Sequence, residues 1–374
     1  MTPAAAPTHG RSLRSTISSD GQVRLALQDE PVPELSEGQV LIAVEASPIN
    51  PSDLGVLLGP MGPTELTRDG DDLVGTAPAE VLELFRDRLD KPLPVGNEGA
   101  GTVVAGVPEL VGKRVATFGG SMWADYRVAD AGAVLPLPDD VSTAEGAALF
   151  INPLTALAMV ETMRAENHTA LVHTAAASNL GQMLVKICAA DGVPLVNIVR
   201  KPEQVELLRA IGAEHIVDSS QPDFFEQLTD AIRTTGATLA FDAIGGGTLA
   251  SDILNAMERA QPPLTSWTPY GTTVLKQVYI YGALDFGPTI VERRFGLTWG
   301  LSGFLLTVAL GKLGAETFGR MRARVAAEAK TTFASSFAET IGLTGVLDLE
   351  KLSVVARRST GTKFLIDPSS DRSS

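Results

Sequence analysis

The chain has 374 residues, with 44 acidic against 30 basic side chains, a formal net charge of −14, and 44% hydrophobic residues. That length suggests two domains, each with ample apolar material for a packed core. An acidic surface repels phosphate backbones, so nucleic acid is not an expected partner. The single cysteine, Cys188, excludes an intrachain disulfide and a cysteine-based zinc site, and it fits a reducing cytoplasm.

The first residues, Met1 to Ser18, hold two arginines and no apolar h-region, which reads as a short disordered lead followed by the first strand rather than a secretory signal. LRSTIS and QVRLALQ flank the turn SSDG and predict a hairpin. QVLIAVEASPIN predicts a strand ending at Pro48, and GAGTVVAGV and GKRVATFG predict two more between glycine turns. The segment from Pro60 to Leu93 contains PAEVLELFRDRLD, a helical pattern that reads either as a lid over a site or as a plain surface insertion.

From Thr155 onward short apolar runs alternate with helical patterns: TALVHT, NLGQMLVKICAAD, PLVNIV, PEQVELLRAIGA, HIVD, PDFFEQLTDAIRT, TLAFDAIG, TLASDILNAMERA and VYIYG. Nearly continuous apolar strands separated by helices of period 3.6 predict a parallel sheet covered on both faces, a doubly wound Rossmann-like domain. The uncharged run FGLTWGLSGFLLTVALG, Phe295 to Gly311, approaches the length of a spanning helix. It holds four glycines and is read as a buried helix lining a pocket or an interface, without membrane contact. The tail predicts strand, helix, strand in TTFASSFAETI, LDLEKLSVVARRS and TKFLID, rejoining the β-rich part. The domains are therefore set at 1–152, β-rich; 153–290, Rossmann-like; and 291–374, a helix and the return.

The first strand of the α/β part runs into Ala175, Ala176, Ala177, Ser178, Asn179, Leu180 and Gly181, which open a helix. A dinucleotide site needs small residues here, so that the backbone turns tightly and a pyrophosphate approaches the helix N-terminus. As a G-x-G-x-x-G fingerprint the match is sparse, with only Gly181 kept, and an ordinary tight turn reads equally well. At the end of the second strand, where an NAD site carries Asp or Glu, stand Arg200 and Lys201. Two cations there suit a 2′-phosphate and point to NADPH; the bland reading is a solvated pair opening the next helix at Pro202.

Five stretches taken in order resemble the medium-chain dehydrogenase/reductase superfamily: INPSD from Ile49, GNEGAG from Gly96, PLPDDVSTAEGAALFINPLTAL, AIGAEHIVD and the terminal GTKFLID. The resemblance implies a Rossmann domain joined to a β-rich, GroES-like catalytic domain. Zinc-dependent members carry Cys and His at the positions of Asn50 and Pro51 and His at Asn97, so the chain resembles the zinc-free branch, with no metal. That branch implies hydride transfer from NADPH to a quinone or an α,β-unsaturated carbonyl. The alternatives are an enoyl-thioester reductase, whose proton-donor tyrosine is replaced near Met61, and a non-catalytic NADPH-binding sensor. By resemblance Asn152, Thr155, Ala177, Ser178, Asn179, Leu180, Gly181, Arg200, Lys201, Gly282, Ala283, Leu284, Asp285 and Lys363 line the cofactor, and the protein is a homodimer acting on a small molecule.

Acceptor reduction also needs hydrogen-bond donors where negative charge develops on oxygen. Asn50, Thr155 and Tyr281 are the candidates, Tyr281 because it ends a strand at the carboxyl edge of the sheet. Asp53 reads as an acid or base or, more simply, as the closure of a turn. His168, His173 and His215 read as structural.

Overall fold

The computed structural model describes residues 7–264, 266, 268–357, 361 and 363–371. The lead expected over the first residues therefore lies partly outside the described residues, and the first strand begins at His9.

The chain divides into two compact units, one of residues 1–151 with 325–374 and one of residues 152–324. In the first unit, His9–Ile17 and Gln22–Pro31 form the expected antiparallel hairpin, with Ile17 opposite Val23. Thr67–Asp69, Asp72–Thr76 and Leu93–Pro94 complete a five-stranded sheet with them. A second sheet is built on Gln39–Pro48, which pairs with Glu98–Gly106, Tyr126–Asp130 and, antiparallel, with the C-terminal strand Phe364–Ile366. The core beneath the first sheet is made by Leu13, Ile17, Leu25, Leu57, Trp123 and their neighbours, closed from the tail by Leu343, Leu347 and Phe364.

The second unit is a six-stranded sheet, parallel throughout, in the order His215–Asp218, Leu195–Val199, Leu171–His173, Leu239–Asp242, Lys276–Ile280, Trp299–Gly303. Strand order reverses at Leu171–His173, whose chain continues first to Leu195–Val199 on one side and later reaches Leu239–Asp242 on the other. In open α/β sheets ligands bind outside the carboxyl ends at such a switch point. The helices Asn179–Asp191, Pro202–Ala210, Phe224–Thr235 and Leu249–Arg259 all fall where the 3.6 periodicity places them.

Three expectations change. The run from Phe295 is not one buried helix: Trp299–Gly303 is the sixth strand and a helix begins only at Leu306. Its glycines explain this, since Gly296 sits at φ 66° and a Cβ on Gly300 would stand 2.0 Å from the Gln277 amide oxygen. Residues 291–324 consequently belong to the second unit rather than to the returning tail. Among the described residues no helix is long and apolar enough to cross a membrane. PAEVLELFRDRLD gives only the short helix Ala79–Leu82 and a 3-10 segment Glu83–Arg88, because Leu89 bridges to Ile17 and Arg88 donates to the Val56 carbonyl. In TTFASSFAETI only Glu339–Ile341 is strand, since the amides of Thr331 and Phe333 turn back onto the Glu328 carbonyl.

Candidate functional site

The turn after Leu171–His173 is tight and opens directly into a capped helix. Ser178 caps the helix Asn179–Asp191, its hydroxyl accepting from the Gly181 amide at 3.1 Å. A Cβ on Gly181 would lie 2.1 Å from the Ala176 carbonyl oxygen, so only glycine lets helix and turn pack this closely. Ala175 takes φ 50°, the left-handed conformation a glycine would adopt without strain, and is one of the positions where this chain departs from the fingerprint. The positive end of the helix dipole and its first-turn amides face the space beyond this turn.

Arg200 and Lys201 follow the adjacent strand Leu195–Val199, both exposed. The Arg200 amide donates to the Gln204 side chain at 3.0 Å, and Lys201 Nζ lies 4.0 Å from Glu203, so their backbone is pinned while the cationic ends reach solvent.

Asp242, which the sequence reading passed over, ties the switch point together. Its Oδ1 accepts from the Thr174 hydroxyl at 2.8 Å and the Ile244 amide at 2.9 Å, and its Oδ2 from the Gly245 amide at 3.1 Å. The segment Tyr281–Asp285 runs alongside, with amides of Tyr281, Leu284 and Asp285 donating to Asp242, Ala243 and Ile244 carbonyls. A Cβ on Gly282 would come within 2.7 Å of the Ala243 carbonyl oxygen, so glycine is required here as well. Tyr281, Gly282, Ala283, Gly303 and Leu305 line an open depression of about 610 Å³ within this unit.

Tyr281 does not stand free in that depression. Its hydroxyl is hydrogen-bonded to Nε2 of His173, and its ring stacks on the imidazole. Burial pulls the His173 imidazole down to about 3, so it is neutral at every working pH. Burial, and then the nearby Asp242 carboxylate, push the Tyr281 phenol above its ordinary value. Thr155 is buried in the helix Ile151–Ala165, and Asn152 stands half-buried in its first turn.

The first unit gathers a different set. Asn50 caps the helix Pro51–Leu58 and donates through Nδ2 to Glu98 Oε1 at 2.9 Å, while its own amide donates to Asp53 Oδ2 at 2.7 Å. Asp53 Oδ1 accepts from the Asn97 amide at 2.7 Å, and Glu98 Oε2 from the Phe150 and Ile151 amides. Burial raises Asp53 to about 7 against the pull of its two backbone donors. Pairing of Phe364–Ile366 beside Pro48 brings Lys363 to this cluster: its Nζ is closed off from solvent without a hydrogen-bond partner, and burial lowers it despite the charges of Glu98 and Asp53. The turn-closing reading of Asp53 is thus the one its geometry matches, and Glu98 and Lys363 are the members of the cluster that spacing in the sequence could not connect.

The positions that carry metal ligands in zinc-dependent relatives are occupied by groups committed elsewhere. Asn97 Nδ2 donates to the Ser52 hydroxyl at 2.9 Å, Asn50 to Glu98, and Pro51 offers no donor atom. Among the described residues no group of three or more His, Cys, Asp or Glu side chains is placed to hold a metal ion.

A family model described as zinc-binding dehydrogenase matches residues 180–261, from the helix Asn179–Asp191 through the helix Leu249–Arg259. A putative NADPH:quinone reductase from Mesorhizobium loti superposes with a TM-score of 0.73 at 27% identity, covering 97% of this chain and 100% of its own. The fold is that of the medium-chain dehydrogenase/reductase superfamily. Within that superfamily the human mitochondrial enoyl-[acyl-carrier-protein] reductase is 24% identical over 279 residues, 70% of this chain and 66% of the relative, so the match spans just under two thirds of that protein. A mycobacterial protein solved in complex with NADPH shares the medium-chain reductase fold, with a TM-score of 0.66 at 19% identity over 96% of this chain and 100% of its own.

Proposed function

We propose that this protein is an NADPH-dependent, zinc-independent reductase that delivers hydride to a quinone or an α,β-unsaturated carbonyl. The observation that carries the reading is the pairing of a glycine-tight, serine-capped helix start with two exposed cations at the end of the next strand. The first suits a pyrophosphate and the second a ribose 2′-phosphate. Glycine is required at Gly181 and Gly282 because a Cβ there would meet the Ala176 and Ala243 carbonyl oxygens, so the backbone of the turn and of the helix start is held close.

In this reading Ser178, Leu180 and Gly181 hold the pyrophosphate end, Arg200 and Lys201 the 2′-phosphate, and Gly282 to Leu284 the nicotinamide end. Bound NADPH supplies the hydride; the chain supplies position and hydrogen-bond donors. Tyr281 is the donor of the second unit, its hydroxyl oriented by a neutral His173 that neither gives nor takes a proton near neutrality. A quinone takes its protons from solvent, so no dedicated proton donor is required, and the place of the thioester reductases' tyrosine is filled here by Met61, 6% exposed in the core of the first unit.

The protein is further proposed to act as a homodimer in the cytoplasm. The sixth strand, Trp299–Gly303, is an edge; Leu305, which follows it, is 63% exposed, and Phe286, in the strand Asp285–Thr289, is 79% exposed. An unpaired edge with large apolar side chains is a surface that a second copy can cover.

The test is a fluorescence titration with NADPH and NADH followed by addition of 1,4-benzoquinone or a crotonyl thioester. Turnover of the quinone supports the proposal. Turnover of the thioester alone replaces it with an enoyl-thioester reductase, and tight NADPH binding without turnover of either replaces it with a sensor.

A further inference from the structure

The helix that follows the sixth strand, Leu306–Ala327, is not continuous: Gly314 stands at φ 84° and ψ 165°, a backbone region that essentially only glycine occupies. A Cβ there would meet nothing within 4 Å, so glycine serves the backbone at this position and not the packing. The parts on either side of the break are held very differently. Beyond it Met321 is 4% exposed, Arg324 Nη1 lies 2.9 Å from the Asp191 carboxylate, and Arg320 Nη2 lies 3.8 Å from that of Glu161. Before it, residues 306–313 bury only Ala309. The strand end that precedes them is fixed again: the Phe304 amide donates to the Ile280 carbonyl at 2.8 Å, and the Phe304 ring packs edge-on against Phe241 with centroids 5.0 Å apart.

A second observation concerns what this weakly held segment borders. Leu305 and Val308 line the same open depression as Gly282 and Ala283, and they are 63% and 53% exposed. Elements with little buried apolar surface open more readily than the rest of a fold, and binding-site lids are drawn from them. Large apolar side chains left in water beside a site gain by closing over whatever fills it.

We propose that residues 305–313 are a lid, hinged at Gly314, that closes Leu305 and Val308 over the nicotinamide end when NADPH is bound. The inference rests on the nucleotide site proposed above and adds a moving part to it. Open, the depression admits cofactor and acceptor. Closed, the two side chains exclude water from the space where hydride moves and slow release of the cofactor. Little has to be undone for the segment to swing, since its one buried residue is an alanine and the space around Gly314 is open.

The test is hydrogen exchange of the full chain with and without saturating NADPH, joined to stopped-flow measurement of NADPH dissociation. Amides of residues 306–313 should exchange rapidly in the free protein and at least about tenfold more slowly with NADPH, together with those of the turn at 175–181. Val308→Ser changes an exposed side chain, so the fold is retained; it should speed NADPH dissociation by about three- to tenfold, the worth of covering a half-exposed valine. Gly314→Ala cannot hold the hinge conformation and should reduce the protection of 306–313 while leaving that of the turn. Protection of the turn without any change at 306–313, or dissociation indifferent to Val308→Ser, overturns the lid and keeps the nucleotide site. No protection of either segment at millimolar NADPH overturns the nucleotide site, and the lid with it. Protection of 306–313 that is present without nucleotide and falls on dilution means that a second copy covers Leu305 and Val308, and likewise overturns the lid.

Discussion

The hydroxyl of Tyr281 lies 2.8 Å from Nε2 of His173, and the two rings stack with centroids 5.7 Å apart and planes 18° from parallel. The two residues end strands that are not neighbours, since Leu239–Asp242 runs between them. The pair therefore fastens the switch point from above. Tyr281→Phe keeps the ring and removes the bond, leaving the imidazole nitrogen buried without a partner. The variant should lose about 1–2 kcal/mol of stability, the cost of one orphaned buried polar group. NADPH affinity should hardly change, while kcat falls if the hydroxyl steadies charge on the acceptor oxygen. Denaturant unfolding and steady-state kinetics check both. An unchanged kcat would assign Tyr281 to packing alone.

His173 and Asp53 give opposite pH signatures. The folded His173 is depressed from an ordinary 6.5 to about 3, so between those values the unfolded chain binds more protons. Its contribution to stability is complete above pH 6.5 and is lost as pH falls through that window. Asp53 is raised from 3.8 to about 7, so the folded chain binds more protons there and its contribution disappears as pH rises from about 4 to 7. Each slope is at most about 1.4 kcal/mol per pH unit. Between pH 4 and 6.5 the two largely offset one another in the whole chain. His173→Phe should uncover a stability that declines with rising pH, and Asp53→Asn one that increases. Scanning calorimetry across this range, with separate transitions assigned to the two units by these variants, is the measurement; parallel profiles for both variants would contradict the assignment.

Much of this was legible in the sequence because it rests on periodicity and local turn chemistry. NLGQMLVKICAAD is helix from its first residue to its last, and the hairpin expected across SSDG forms. What escaped depends on partners far along the chain. Nothing local to Trp299–Gly303 says that it will be a strand; the open edge of Lys276–Ile280 and the fit of Gly300 over Gln277 decide it. The same holds in the candidate sites. Gly181 and Arg200 announce themselves by position after a strand, whereas His173 with Tyr281, or Glu98 with Asn50, are separated by 108 and 48 residues. No spacing rule joins such pairs, so His173 read as structural and Asp242 was not singled out.

Gly181 offers a test of whether the fingerprint is conserved in geometry rather than in letters. The chain has replaced the other glycines of the pattern, yet a methyl group at Gly181 meets backbone, not a yielding side chain. Gly181→Ala must displace the helix start from the turn. Overpacking of this kind costs about 1–3 kcal/mol, and it moves the first-turn amides away from the pyrophosphate position. The variant should fold with a lowered melting temperature and bind NADPH and NADH at least about tenfold more weakly, to the same degree. Ala175→Gly is the converse, relieving a left-handed alanine, and should raise stability by about 1 kcal/mol without loss of cofactor. Thermal melts and fluorescence titrations of the pair read out both effects.

The proposed preference for NADPH rests on Arg200 and Lys201. Both are exposed, so removing them leaves the core untouched, and any effect on binding is not a stability effect in disguise. A 2′-phosphate carries up to two negative charges and makes charge-assisted hydrogen bonds of about 1.5–3 kcal/mol each with such groups. Replacing both residues with alanine should therefore weaken NADPH by about ten- to a hundredfold while NADH, which has only hydroxyls there, shifts by no more than about twofold. Because the contribution is partly screened, the gap between the two cofactors should narrow as salt is raised in the unaltered protein. Equal weakening of both cofactors would remove the 2′-phosphate role and leave the two cations as a solvated helix start, the reading that Pro202 and the Lys201–Glu203 proximity already allow.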